Sequence, residues 1–273
     1  MTAVAAGKSA LVIGATGQVG QHVLYEVLRS THFTRVCEAG RRLTQIESLP
    51  EDVKKVAGNG GKLEQLKVVD FGDDDVSSRG GGGGGERKWQ ETFRQGAFDV
   101  IFIALGTNMH DAKTRENFKR VDMDYTLNVA RYAKTEDASH HQRLIYVSSN
   151  AAKKDSYSFY SRSKADTEQG LADLGYEDTI IFRPGFLRNT NRPVLRPIEV
   201  IAGPISTGLS FFTNKLEINV DQLGKSIRIA GEQGTIGLPP IAEATSTNWG
   251  VSGSRNFTVV MNRGARALAQ ENI

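Results

Sequence analysis

Short, wholly apolar runs alternate with amphipathic stretches over the first two-thirds of the chain. That rhythm is the pattern of β-α units, in which strands covered on both faces by helices form a parallel sheet. It predicts strands at Ala10–Ile13, Arg35–Ala39, Gln65–Val69, Val100–Leu105, Arg143–Val147 and Thr179–Phe182. It predicts helices at Gln18–Ser30, Arg115–Ala133 and around Tyr160–Leu174. Beyond Pro184 the alternation weakens, and Pro193, Pro197 and Pro204 make Arg188–Pro204 largely irregular. Asp221–Ile229 fits a helix, Thr235–Arg255 a polar loop, Phe257–Met261 a late strand and Arg263–Gln270 a terminal helix. The fold class that follows is α/β: one doubly wound parallel sheet spanning residues 1–273, with residues 186–255 as a small C-terminal lobe.

A length of 273 residues, 39% of them hydrophobic, is enough to bury a sizeable core. Six consecutive glycines, Gly80–Gly85, cannot offset the entropy of ordering and mark residues 77–88 as a flexible surface insertion. They do not read as a phosphate cradle, because no strand leads directly into them and no Lys-Ser/Thr follows. The net charge of +3 balances 34 basic against 31 acidic residues, which gives no sign of nucleic-acid binding. The single cysteine, Cys37, rules out an internal disulfide, fits a reducing compartment, and falls in a strand as a small buried hydrophobe. No apolar run approaches the ~20 residues of a membrane span, and the N-terminal residues read neither as a signal peptide nor as an Arg-rich presequence. His140–His141 has no cysteine or acid cluster at ligand spacing, so the pair reads as solvated and no metal is expected.

The first strand runs into GATGQVG, which sets Gly14, Gly17 and Gly20 at G-x-x-G-x-x-G spacing ahead of a helix. A dinucleotide site needs this: a tight turn, and a backbone that can approach a pyrophosphate at the free N–H groups of a helix N-terminus. Gly14, Thr16, Gly17, Gln18, Val19 and Gly20 are therefore candidate cofactor contacts in a Rossmann-type fold. Past the second strand stand Arg41 and Arg42, where a guanidinium suits the 2′-phosphate of NADPH. Glu38 lies inside that strand rather than at its end, the position an NAD-type acid takes. Asp70, and the backbone of Ala104, Leu105 and Gly106, close the next two strands at the carboxyl edge and are placed beside the adenine and adenosine.

The strand ending LIYVSSN is followed by YSRSK, with Tyr160 and Lys164 one helical turn apart on one face. A tyrosine with its ordinary pKa near ~10 exchanges protons poorly at neutral pH. An ammonium one turn away favours the phenolate, and a serine hydroxyl at the strand end can hydrogen-bond a substrate oxygen on which charge develops. Tyr160 and Lys164 thus read as an acid/base pair beside a nicotinamide.

With GATGQVG, GRR, VVD, ALGT, YVSSN, YSRSK and FRPG in this order over residues 8–187, the chain resembles the short-chain dehydrogenase/reductase superfamily in its extended or atypical branch. The resemblance implies acid/base chemistry at Tyr160, support from Lys164, and a hydroxyl at Ser149, with Ser148 as the close alternative. It also implies that Arg183–Gly185, Pro184 among them, lie beside the nicotinamide. GRRL, ALGT, FKRVDMDYTLNVARYAK and SFYSRSK are similar to the Tat-interacting-protein group of atypical reductases. FTVVMNRGARALA resembles that group's fungal relatives, which are associated with the mitochondrial outer membrane. From that resemblance alone come a peripheral, cytosolic-face location at that membrane (otherwise cytoplasmic) and protein partners. Asp122 departs from the pattern, because it stands where many reductases carry an asparagine. Two functions remain: NADPH-dependent oxidoreduction of a small carbonyl or alcohol, or a non-catalytic NADPH-binding scaffold or redox sensor.

Overall fold

The computed structural model describes residues 7–58, 60–72, 86–107, 109–188 and 217–271. A first β-α series comprises β1 (Lys8–Ile13), α1 (Gly20–Arg29), β2 (Phe33–Gly40), α2 (Glu51–Ala57), β3 (Leu63–Lys67), α3 (Glu86–Gly96) and β4 (Val100–Ile103). After β4 come α4 (Met109–Ala112), α5 (Arg115–Lys119), a π turn at Arg120–Asp124, and α6 (Tyr125–Ala133). The second series runs through β5 (Arg143–Val147), α7 (Phe159–Asp173), β6 (Asp178–Arg183), β7 (Phe186–Arg188) and β8 (Glu217–Asn219). It closes with α8 (Val220–Gly237), β9 (Thr245–Thr247), β10 (Phe257–Met261) and α9 (Asn262–Leu268).

The main sheet has the order β3-β2-β1-β4-β5-β6-β10-β9, parallel throughout except for β9, which runs antiparallel to β10 at the edge. Neighbouring residues of β1 feed two different cores, as strand geometry requires. Ala10 and Val12 pack with Val23, Leu24 and Val27 of α1 and Leu223 and Ile227 of α8. Leu11 and Ile13 pack with Trp89 and Phe93 of α3, Val129 of α6 and Leu171 of α7. Each such fully buried aliphatic side chain contributes about 1.5–3 kcal/mol. The strand order reverses between β1 and β4, so a crevice opens beyond their carboxyl ends.

The doubly wound parallel sheet is as expected, with several boundaries corrected. The third strand is Leu63–Lys67 rather than Gln65–Val69, because its partner β2 runs out at Gly40, which pairs with Lys67. β4 stops at Ile103 instead of Leu105, since its partner β1 ends at Ile13 and Gly14 turns away with φ +84°. The helix expected over Arg115–Ala133 is interrupted by the π turn. The helix expected over Asp221–Ile229 runs on to Gly237, with one non-helical residue at Gly234 (φ 69°). The polar loop expected at Thr235–Arg255 holds the end of α8 and the edge strand β9. Glu86–Lys88, counted in the glycine insertion, begin α3, while Gly80–Gly85 lie outside the described residues. Most of Arg188–Pro204 lies outside them too. Among residues 186–255, β7 and β8 form a separate two-stranded parallel ribbon, and α8 belongs to the main helical layer against α1.

Candidate active site

The glycine turn is built around close approach. Gly14 adopts φ +84°, and a Cβ there would stand 2.7 Å from the Ala104 carbonyl oxygen. A Cβ on Gly20 would stand 2.0 Å from the Gly14 oxygen, so only glycine lets α1 begin this close to the turn. The Gly17 N–H donates to the Gly14 carbonyl at 2.9 Å and closes the loop. No side chain caps α1, and no acid occupies its first turn. Its N-terminal N–H groups and positive dipole end therefore suit an anion. Thr16 and Gly17 are exposed, Gln18 is half-buried and Val19 buried. This cradle fits a dinucleotide pyrophosphate, because the tight turn leaves the uncapped N-terminus of α1 beside the exposed Thr16 and Gly17.

Arg41 and Arg42 are exposed immediately after β2. Glu38 is buried, and its carboxylate is already engaged: it accepts from the Thr44 N–H and hydroxyl at 2.8 Å and from the Gln65 amide at 2.7 Å. Asp70 lies three residues beyond the end of β3 and is likewise engaged, with Arg120 at 2.8 Å and the Gly72 N–H at 2.7 Å. It also faces the Tyr125 hydroxyl, whose pKa is pushed up to about 12 by burial first and by Asp70 next. Ala104 and Leu105 are half-buried and Gly106 exposed, on the loop that follows β4. Cys37 is a buried core residue whose thiol is pushed up to about 12, chiefly by burial.

Ser158 starts α7 by accepting from the Ser161 N–H. Tyr160 is half-buried, with its ring 5.5 Å from that of Phe118. One turn on, Lys164 is buried and donates to Asp122 Oδ1 at 2.9 Å and to the Tyr146 hydroxyl at 3.0 Å. Burial alone would drive this amine to neutrality; Asp122, Tyr146 and Tyr160 outweigh it and hold the ammonium well above its ordinary range. Burial also pulls the Asp122 carboxyl upward, toward neutrality, against the opposing pull of Lys164. The two directions disagree about whether the pair is charged. The 2.9 Å contact, with a further hydrogen bond to Asp122 from the Thr107 backbone, favours the ion pair. Tyr146 reads in the sequence as one more apolar strand residue; nothing in its neighbours reveals that its hydroxyl meets Lys164.

Ser149 is half-buried just beyond β5, where its hydroxyl accepts from the Ala151 N–H at 3.2 Å. The Ser148 hydroxyl is enclosed and has no hydrogen-bond partner among the described residues. Pro184 is buried next to them, and its carbonyl accepts from the Asn150 N–H at 3.0 Å. The Arg183 side chain, in contrast, is taken up by the protein: it meets Glu168 of α7 and lies 4.3 Å over the Trp249 ring. Of the histidine pair, His141 is exposed and pairs with Glu177, while His140 is half-buried and stands 3.8 Å from Asp99.

Residues 10–169 match the NAD dependent epimerase/dehydratase family. The chain belongs to that family. It is 28% identical to Protein FMP52, mitochondrial, of Debaryomyces hansenii over 88% of this chain and 95% of the relative. It is 32% identical to Protein HTATIP2 of Rattus norvegicus over 68% and 66% respectively. The fold is shared with YwfH, described as an NADPH dependent reductase involved in bacilysin biosynthesis (TM-score 0.53, 18% identity, 83% of this chain and 92% of that one). It is also shared with a short-chain dehydrogenase from Streptomyces avermitilis (TM-score 0.52, 20% identity, 84% and 85%). This is an NAD(P)-dependent oxidoreductase of the short-chain dehydrogenase/reductase type, similar to the fungal FMP52 proteins and to HTATIP2.

Proposed function

We propose that the protein interconverts a small carbonyl compound and its alcohol with NADPH, using Tyr160 as general acid and base. When bound, the cofactor supplies or accepts the hydride. The observation that carries this reading is Lys164, a buried ammonium one turn from Tyr160 that lies beside Gly106, on the same loop whose Ala104 packs against Gly14 of the cradle. In reduction, the Tyr160 hydroxyl gives its proton to the carbonyl oxygen; in oxidation, the phenolate takes it back. Lys164 stabilises the phenolate by its charge and also reaches the nicotinamide ribose. Ser149 polarises the substrate oxygen and is preferred to Ser148, whose hydroxyl is enclosed. Pro184 and the loop Ala104–Gly106 flank the cofactor, with the cradle residues Gly14–Gly20 on its pyrophosphate. Asp70 contributes as the Arg120-bound edge of the adenine pocket. Arg41 and Arg42, exposed at the end of β2, are the basis for choosing NADPH over NADH.

Substrate contacts fall to residues 186–255, of which the β7–β8 ribbon adjoins the Pro184–Gly185 turn. The fungal relatives carry "mitochondrial" in their names, which supports a mitochondrial location here; the finer placement, peripheral on the cytosolic face of the outer membrane, is part of the proposal. No helix among the described residues is long and apolar enough to cross a membrane.

Tyr160→Phe tests the chemistry. It removes one hydroxyl, so NADPH affinity should be retained while turnover on any accepted carbonyl falls about 10²–10⁴-fold. Wild-type turnover in that variant refutes the assignment. A second reading, a non-catalytic NADPH-binding scaffold, is favoured by the Asp122 contact that occupies Lys164. NADPH binding with no oxidation across a broad carbonyl panel would select it.

A further inference from the structure

We propose that Asp122 is a positioning residue whose buried carboxylate keeps Lys164 an ammonium and fixes it one helical turn from Tyr160. The proposal rests on the acid/base reading above and adds a residue to it. A lysine buried against Asp122 of the π turn and Tyr146 of β5 loses most of its hydration, and without a counter-charge it would give up its proton. The groups that face it come from three elements: Asp122 from the π turn, Tyr146 from β5, and Tyr160 from its own helix. Glu168, one turn further along α7, is already held through both oxygens by Arg183. Among the described residues, then, Asp122 is the full negative charge that Lys164 touches.

The local fold is arranged to present this carboxylate. The π turn Arg120–Asp124 keeps Asp122 at 1% exposure while Asp124, two residues on, faces solvent. Single π turns of this kind recur at functional positions in helices. The loop after β4 seats itself on the pair: the Thr107 N–H donates to Asp122, and a Cβ on Gly106 would stand 2.9 Å from Asp122 Oδ1 and 3.7 Å from Lys164 Nζ. With Nζ donating to Asp122 and to Tyr146, Tyr160 is the further group on α7 that acts on its charge. An asparagine would keep the shape and the acceptor atom but not the charge, so Asp122→Asn isolates the charge.

The experiment uses cofactor-free protein labelled with [13Cε]-lysine, with the Lys164 resonance assigned by its loss in Lys164→Arg. The wild-type resonance should keep its ammonium position beyond the ordinary lysine midpoint near ~10.4. In Asp122→Asn, burial is no longer balanced, and the midpoint should fall by more than about two units. Tyr146→Phe, which removes a neutral partner, should move it far less. Equal titration of wild type and Asp122→Asn, or a Tyr146→Phe shift as large as that of Asp122→Asn, overturns the proposal.

Should Asp122→Asn fail to fold, Lys164→Met carries the test, because it leaves Asp122 buried without a counter-ion. A buried carboxyl with a raised folded-state pKa loses stability as pH rises from its unfolded value toward the folded one. Measured against Asp122→Asn combined with Lys164→Met, which shares every other titrating group, Lys164→Met should therefore lose stability between pH 5 and pH 8. A stability difference between these two variants that is the same at pH 5 and pH 8 overturns the proposal. None of these readouts involves turnover, so Tyr160→Phe can fail its own test while the Lys164 titration stands.

Discussion

Glu168 is fully buried on α7, and both of its carboxylate oxygens accept from Arg183 of β6, at 3.0 Å from Nε and 2.5 Å from Nη2. The far face of the same guanidinium lies 4.3 Å over the Trp249 ring. One arginine thus pins the helix that carries Tyr160 and Lys164 to the sheet and to the loop before β10. Removing one member of a buried pair strands the other, at a typical cost of about 3–5 kcal/mol. Glu168→Gln should lower stability to urea by an amount in that range, and Glu168→Leu combined with Arg183→Met should cost less than Glu168→Gln alone. A single-variant loss below about 1 kcal/mol, the scale of a surface pair, would mean that the pair does not anchor α7.

The glycine cradle makes a graded prediction. Gly20→Ala places a methyl 2.0 Å from the Gly14 oxygen, and Gly14→Ala combines a positive φ with a 2.7 Å contact to backbone. Both should destabilise by about 1–3 kcal/mol and weaken cofactor binding at least tenfold in titration calorimetry. Gly17→Ala meets its nearest atom at 3.1 Å and should be the mildest of the three for stability. Equal effects at all three positions would show that backbone approach does not govern this turn.

Those three glycines were legible because a turn between strand and helix leaves a fixed spacing in the sequence. The central strands were legible too, since β4, β5 and β6 are apolar runs buried on both faces, whereas β3, LEQLK, is polar and its bounds had to come from its pairing with β2. Short contacts between distant segments were not. Lys164 meets Asp122 and Tyr146 across 42 and 18 residues, and nothing local to any of the three announces it. Asp122 stood out only as an unexpected carboxylate; its burial and its partner needed the π turn, which a regular helical period does not foresee. Similarly, α2 and α3 are short or strongly polar helices whose place is set by packing. Val53 and Ala57 reach one core, and Trp89 and Phe93 the other.

Arg41 and Arg42 leave cofactor choice to a single exposed corner after β2. Glu38 offers no competing ribose contact, because Thr44 and Gln65 hold its carboxylate. NADPH should therefore bind more tightly than NADH, and replacing both arginines by alanine should erase most of the difference. Each charge-assisted phosphate contact is worth about 1.5–3 kcal/mol. The check is a pair of binding titrations per variant at fixed ionic strength; equal wild-type affinities for the two cofactors refute the assignment.

Asp99 ties the start of β4 to the start of β1. Its carboxylate accepts from the Ser9 N–H at 2.8 Å, the Ser9 hydroxyl at 2.8 Å and Lys8 at 2.9 Å. Burial pushes this carboxyl upward, but the Ser9 and Lys8 contacts together outweigh it and leave the pKa below its usual 3.8. A depressed carboxyl contributes stability above its unfolded pKa and loses it as pH falls through the folded value, where both states become protonated. At pH 7, Asp99→Asn should therefore be less stable than wild type by about 1.5–3 kcal/mol, the scale of hydrogen bonds to a charged group. The half-exposed Lys8 places the loss toward the lower end. Below pH ~4 the two proteins should converge. Burial lowers His22 and His32, so acid weakens the fold there as well, from about pH 6.5 downward. Asp99 acts on His32 and stands 3.8 Å from His140, so both proteins carry His32→Gln and His140→Gln, and their difference in urea stability then isolates the carboxylate. A difference that stays constant from pH 7 to pH 3 would show that Asp99 acts through shape rather than charge.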